Sequence, residues 1–170
     1  SEHTLLLVNC YTKLHDHRKL RQFIDDESLQ QHCDIPTAID ALVTAEFDPE
    51  ALELAERHRL YERVVEIQIE KTHSLEEALT FIAKLSDVDA ATVLMRSGKK
   101  LVDAVPDLAT PFFIKLCTEG KPQEPAQFFI CFVDDAAHLK QFLIAVTQQR
   151  QQKDPVVWNT YLELMLRPDL

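Results

Sequence analysis

Apolar positions recur along this chain with the period of an amphipathic helix from one end to the other. Leu7, Cys10, Tyr11 and Leu14 fall at i, i+3, i+4 and i+7 and predict a first helix with one apolar stripe. Leu20, Phe23 and Ile24 do the same for a second. Ile35, Ala38, Ile39 and Leu42 mark a third, entered through Asp34 as N-cap with Pro36 in the first turn. Asp48-Pro49 opens a fourth, whose stripe is Ala51, Leu54, Ala55 and His58. Between Leu60 and Lys71, the alternation of Val65, Ile67 and Ile69 has the period of a strand. Its neighbours are all helical and no partner strand is evident, so the expectation there is helix.

Ser74-Leu75-Glu76-Glu77 has the form of a capping box, leading into Leu75, Ala78, Leu79 and Ile82. Further helices are expected from about Val88 to Arg96 and from about Lys99 to Val105. Another begins at Thr110-Pro111, with Phe113, Leu116 and Cys117 on its face. Gly120 to Pro125 is the clearest break, and the apolar run Phe128 to Val133 after it reads as extended. Asp134 then caps a helix bearing Leu139, Phe142, Leu143 and Val146. Asp154-Pro155 opens the last, with Trp158, Tyr161, Leu162 and Met165 on one stripe.

About ten or eleven short helices with short connections predict an all-α protein, an α-solenoid of stacked helical hairpins. The expected organisation is a single solenoid segment over residues 1–170, with an internal break at 120–127 and a C-terminal helical pair at 134–167. One faint period supports repetition. Ala38 and Leu42 recur as Ala78 and Ile82, and Ala51 and Leu54 recur as Ala91 and Leu94, each about 40 residues later. That is the length of a helical-pair repeat, and small residues at matching points let successive pairs approach closely.

Composition narrows the picture further. Only Gly98 and Gly120 are glycine in the 170 residues, too few for a barrel or sandwich full of tight turns or for a glycine-cradled phosphate site. The net charge of −10 opposes nucleic-acid binding and adhesion to an anionic membrane. His17-Arg18-Lys19 with Arg21, and Lys99-Lys100, read as solvated helix faces. Cys10, Cys33, Cys117 and Cys131 form no CxxC pair, and Cys10 and Cys117 lie on apolar stripes as small core residues. This fits a reducing cytosol. No run approaches the roughly 20 apolar residues of a membrane span and no signal peptide opens the chain. A first residue of Ser rather than Met suggests a piece of a longer protein.

The search for chemistry finds no assignable site. His15-Asp16-His17 lacks both the i,i+4 spacing and a third ligand for a metal. His58 on its stripe reads as a core-edge histidine. Asp25-Asp26-Glu27 and Asp134-Asp135 read as capping and solvated carboxylates at helix ends. Cys33 beside His32 places a thiol and an imidazole next to each other, where sequence neighbours do not face one another. No nucleophile elbow, Walker pattern or zinc-protease helix occurs. No catalytic, cofactor-binding or metal residue is assigned, no cofactor is expected, and the reading is of a non-enzyme. What remains is surface. The stripes of the first and last helices, including Leu7, Tyr11, Trp158 and Met165, either stack on neighbouring repeats or close the segment's own core.

The string Leu5-Leu6-Leu7-Val8-Asn9-Cys10-Tyr11-Thr12-Lys13-Leu14, continuing through Lys19-Leu20 and Phe23-Ile24, is more specific than a generic amphipathic helix. Further likeness lies in Ala51 to Glu56, Ile67-Gln68-Ile69-Glu70, Glu77-Ala78-Leu79 with Ile82, and Lys84-Leu85. Leu116-Cys117-Thr118, Leu139-Lys140, Phe142-Leu143 and Leu162-Glu163-Leu164 keep the pattern. Over almost its whole length the chain thus resembles the clathrin heavy-chain-type repeat region of the vacuolar protein sorting-associated protein 11 family, core subunits of the HOPS and CORVET tethering complexes. The linker Gly120 to Gln127 departs from that pattern in being shorter and plainer.

The resemblance implies a non-catalytic scaffold segment acting in endosome-to-vacuole or lysosome transport and membrane fusion. It implies a parent protein with a β-propeller, a long α-solenoid and a RING-type zinc module, of which these residues hold only solenoid. The implied partners are other class C core subunits, with Rab GTPases and SNAREs reached through the complex, and neither nucleic acid nor direct membrane insertion. The implied location is the cytosolic face of late endosomes, vacuoles or lysosomes. A segment of another clathrin-like coat or tether, or part of a ubiquitin-ligase module, is the alternative.

Overall fold

The computed structural model describes residues 2–149 and 152–170. The chain divides into two compact units, Ser1–His73 and Ser74–Leu170. Among the described residues every regular element is helical.

The first unit holds α1 (Glu2–Lys13), α2 (His17–Asp25), α3 (Glu27–Gln30), α4 (Ile35–Thr44), α5 (Asp48–Arg57) and α6 (Tyr61–Glu70). The hairpin of α1 and α2 lies on the hairpin of α4 and α5, with α1 packed on α4 and α2 on α5. Leu20, Ile24, Ile39, Leu42 and Leu54 are fully buried between them. The stretch with the strand-like alternation is indeed helical. Val64, Val65 and Ile67 are buried together, which a strand's two-sided alternation would not do.

Three of this unit's corners end in the same hydrogen-bonded motif. Asp16 N–H donates to Tyr11 O, Phe47 N–H to Leu42 O, and Leu60 N–H to Ala55 O, each a six-residue loop wrapping a helix C-terminus. The residue before each donor is left-handed: His15 (φ 51°), Glu46 (φ 65°) and Arg59 (φ 56°). A glycine-poor chain thus makes its turns with side-chain-bearing residues at positions that favour glycine. Phe47 and Leu42, at the two ends of one such loop, are both buried.

The expected stripe of α1 is displaced. Val8 and Thr12 are buried with Leu5 and Asn9 half-buried, again at i, i+3, i+4 and i+7, whereas Leu7, Cys10 and Leu14 face outward. Cys10 is therefore not a core residue. The helix carries apolar residues on two adjacent columns, Leu5 and Val8 on one and Leu7 and Cys10 on the other, and only one can meet α4. Thr12 tolerates burial because its hydroxyl donates to Asn9 O at 2.9 Å.

The second unit holds α7 (Leu75–Ala83), α8 (Asp87–Ala104), α9 (Pro106–Thr118), a 3₁₀ helix (Pro125–Phe132), α10 (Ala136–Thr147) and α11 (Pro155–Met165). Each α-helix from α7 to α11 packs on the next, and the 3₁₀ helix lies against α8, α10 and α11. Asp154 caps α11 by accepting the Val156 N–H, as its sequence indicates, whereas Ser74 stands at the N-cap position of α7 without the side-chain capping bond that a capping box requires.

Four local features differ from expectation. The two helices expected from 88 to 105 are one, because α8 runs through Gly98, whose missing Cβ admits Phe113 and Cys131. The helix expected from Thr110 starts at Pro106, and Pro111 lies inside it; the Thr110 hydroxyl donates to Pro106 O at 2.7 Å in the turn that Pro111 interrupts. The run Phe128 to Val133 is not extended. Its buried residues Phe128, Cys131 and Phe132 sit at i, i+3 and i+4, a helical spacing. Asp135, not Asp134, caps α10 by accepting the His138 backbone N–H at 3.0 Å. The core of this unit is a phenylalanine cluster, with Phe113 5.2 Å from both Phe128 and Phe132 and 6.4 Å from Phe142 between ring centroids.

Candidate interaction surfaces

The histidine and carboxylate candidates at His15–His17, His58, Asp25–Asp26 and Asp134–Asp135 have structural roles in the fold. His15 and His17 flank the ring of buried Phe47, at 5.8 and 5.1 Å between centroids, so the His-Asp-His motif packs the α1–α2 turn against the α4–α5 turn. Asp16 between them caps α2, accepting the Lys19 N–H at 3.0 Å. His58 Nε2 lies 2.6 Å from Gln30 Oε1. Gln30 Nε2 donates to Phe23 O and Ile24 O, which makes Oε1 the acceptor and His58 Nε2 the donor. Gln30, buried though polar, thus closes the C-terminus of α2. Sequence reasoning missed it, since a lone Gln in a short helix carries no periodic signal.

The two acidic runs separate into individual roles. Asp25 pairs with Arg21 at 3.0 Å and Arg57 at 3.2 Å, and Glu53 on α5 joins the same network. The hydrogen bond from Arg21 holds the Asp25 carboxyl below its ordinary range. Asp26 caps α3, and its bonds from Ser28 hold it down likewise. Asp134 pairs with Lys99 at 2.7 Å. Asp135 lies beneath His138, whose Nδ1 is 2.7 Å from Asp135 Oδ2 and whose Nε2 is 2.9 Å from Asp107 Oδ1. The Nδ1 contact is close but lacks hydrogen-bond alignment, so it acts as an ion pair. The Asp107 bond, then the Asp135 contact, raises the imidazole above its ordinary 6.5.

Three of the thiols, Cys33, Cys117 and Cys131, are held toward their protonated form. Burial pushes Cys33 upward, and its Sγ faces Asp34 O at 3.8 Å, not His32. Burial drives Cys117 to about 12 and Cys131 to about 11. Among the described residues no group of three or more His, Cys, Asp or Glu side chains is placed to hold a metal. Among them, too, no helix is long and apolar enough to cross a membrane.

The terminal helices carry the surface. On α11 the buried residues are Val157 and Leu164, with Thr160 and Tyr161 half-buried between them. The adjoining column, Trp158, Leu162 and Met165, faces out, and Leu166 extends it at 83% exposure. The Trp158 indole is held by a bond to Gln152 O at 3.0 Å and an edge contact with Tyr161. On α1 the outward column is Leu7, Cys10 and Leu14, with Leu6 beside it and Leu14 76% exposed. Of the four candidates, Leu7, Trp158 and Met165 are thus exposed, while Tyr11 is half-buried against α2. Leu6 and Leu166, not singled out by periodicity, join these surfaces. Each terminal helix buries one apolar column and presents a second. Exposed apolar columns of this kind mark contact surfaces more often than solvated faces.

The sequence model described as PEP5/VPS11 clathrin repeat matches residues 1–170. The chain is 34% identical to "Vacuolar protein sorting-associated protein 11 homolog" of Mus musculus, over 98% of this chain and 19% of that protein. The protein of the same name in Homo sapiens gives the same figures, 34% identity with 98% of this chain and 19% of the relative covered. The homolog of Arabidopsis thaliana is 32% identical over 99% of this chain and 20% of its own length. The chain therefore spans about a fifth of the length of these relatives. No solved structure matches it. A family match over every residue, joined to helices that stack as hairpins and repeat along the chain, means that the chain belongs to the PEP5/VPS11 clathrin-repeat family.

Proposed function

We propose that this chain is a non-catalytic scaffold segment of a HOPS- or CORVET-type tethering complex, acting in transport from endosome to vacuole or lysosome. It works as one solenoid segment over its whole length, on the cytosolic face of those membranes. Its partners are the other core subunits, with Rab GTPases and SNAREs reached through the assembled complex. The relatives' names point to vacuolar sorting, and the clathrin-repeat family points to a scaffold. The observation that carries the reading is the outward apolar column on each terminal helix, Leu7 and Cys10 on α1, continued by Leu14 just past its end, and Trp158, Leu162 and Met165 on α11. A repeat buries such a column only when the next repeat is stacked on it. Relatives about five times as long supply the flanking chain to do so.

The test is the double substitution Leu162→Asp with Leu166→Asp in the full-length protein, followed by recovery of the tethering subunits on the tagged variant. Both side chains are exposed, so the unit itself keeps its core. Recovery is expected to fall several-fold while helical content is unchanged. Full assembly by the folded double variant would overturn the reading.

A further inference from the structure

Beside the outward column of α1 lies a second, differently built surface. Leu7, Val8, Tyr11, Lys19, Gln22, Phe23 and Leu29 line a groove of about 130 Å3 where α1, α2 and α3 meet. Its floor is apolar, and its walls leave Leu7 50% and Leu29 46% exposed. Among the described residues Lys19 is its one charged lining residue, with Nζ 5.8 Å from the centre of the Tyr11 ring.

The charge on its α1–α2 side runs against the rest of the chain. The protein carries −10 overall, yet from Lys13 to Arg21 the only acid is Asp16, whose carboxylate is occupied in capping α2. Arg21 is drawn away to Asp25 and Glu53. Lys13, Arg18 and Lys19 are exposed and make no ion pair among the described residues. Arg18 stands one turn before Gln22, on the same rim.

An apolar trough with a cationic rim is complementary to one kind of occupant. The geometry points to an amphipathic helix from a partner protein, its apolar residues seated between Leu7 and Leu29 and an acidic side chain beside them facing Lys19. The tyrosine ring beneath Lys19 holds the ammonium at the groove's edge, where a carboxylate from the partner completes the pair. A basic helix would meet the same rim with like charge. This assignment goes beyond the scaffold reading; the groove shares Leu7 with the outward column of α1, while Tyr11, Lys19, Phe23 and Leu29 lie outside that column.

The test uses the full-length protein and two labelled helical peptides of about 16 residues, each with leucines at i, i+3, i+4 and i+7. One peptide flanks the leucines with glutamates, its twin with lysines. Fluorescence anisotropy at low salt is expected to show the glutamate peptide binding about tenfold more tightly than its twin. Lys19→Glu should reverse that order. The substitution preserves the fold, because position 19 is the third residue of α2, where a glutamate completes a capping box with the N-terminal cap. Leu29→Ser should weaken both peptides. An order unchanged by Lys19→Glu, or no binding by either peptide, would overturn the proposal while leaving tether assembly as an independent test of the scaffold reading. Self-association in sedimentation that Leu29→Ser abolishes would assign the groove to a second copy and overturn it equally.

Discussion

A Cβ at Gly98 would lie 2.8 Å from Phe113 Cζ, closer than real methyl carbons approach a ring. It would lie equally close to Cys131 Sγ. Phe113 is fully buried and touches three other phenylalanine rings, so it has nowhere to retreat. In an open helix, Gly→Ala stabilises by about 1 kcal/mol. Here overpacking outweighs that gain, and Gly98→Ala is expected to destabilise the second unit by about 1–2 kcal/mol. Urea unfolding of the native protein and the variant decides it, since an unshifted or raised midpoint would refute the close packing.

The opposite sign is expected at the left-handed corners. Glu46 and Arg59 hold φ values of 65° and 56° while bearing side chains. Left-handed backbone costs an L-residue roughly 1–2 kcal/mol, and glycine loses part of that advantage through its freer unfolded chain. Glu46→Gly and Arg59→Gly should each stabilise the first unit by about 0.5–1 kcal/mol. Gly120→Ala should do the reverse, because its φ is 59° and a Cβ there would meet Asp87 Oδ2 at 2.8 Å. Thermal melts of the three variants supply the comparison.

His138 makes the second unit's stability depend on pH. Its pKa is raised in the folded protein, chiefly by Asp107 and then by Asp135. The charged imidazole therefore stabilises the fold fully below its ordinary value of 6.5, and that contribution fades as pH climbs through the folded-state pKa. Asp135 behaves oppositely. Burial alone would raise it, but the backbone and side chain of His138 together hold it down. Its contribution is whole above its ordinary 3.8 and fades as pH falls through the folded value. Asp134, Lys99 and Asp103 complete the charged surroundings, through the Lys99 pairs at 2.6 and 2.7 Å. His138→Gln should lower the urea midpoint most near about pH 5.5 and least near about pH 8.5. A deficit that widens with rising pH would contradict the pairing. Asp107 is largely exposed, so salt should shrink the effect.

Two residues of one network should differ in weight. Glu53 joins Arg21 and Arg57 at the surface, and Glu53→Gln is expected to lose only about 0.2–1 kcal/mol, less at high salt. Arg57 also donates to Ile24 O at 2.7 Å, an end carbonyl of α2. Arg57→Met should therefore lose about 1–2 kcal/mol, with a part that salt does not screen. Denaturation at low and high salt separates the two; equal, wholly salt-sensitive losses would leave the carbonyl bond without weight.

The helical character of nearly the whole chain was written in the sequence because it follows from local chemistry, although where some helices begin, end or merge was not. Periodicity placed Leu20, Ile39, Leu54 and Leu79 on buried faces, and Asp16, Asp26 and Asp154 are side-chain caps of the residue type that such positions select. The ambiguous stretch at 65–69 resolved by its neighbours, since a strand needs a partner that no nearby segment offers. Membership of the family was legible for the same reason: it rests on an apolar pattern distributed over the chain.

Contacts between distant residues decided the rest. Whether Gly98 breaks a helix or admits a ring depends on Phe113 and Cys131 arriving from other elements. Whether Leu7 or Val8 faces inward depends on where α4 lies, because α1 carries apolar residues on both columns. The same ambiguity on α11 buried Val157 and left Trp158 outside. Carboxylates adjacent in sequence went to separate partners, Asp134 to Lys99 and Asp135 to His138. Sequence by itself determined that the chain is helical, amphipathic and built by repetition, because those properties are local. Only tertiary structure decided which apolar columns are core and which are surface, because burial is a property of the neighbour that covers a face.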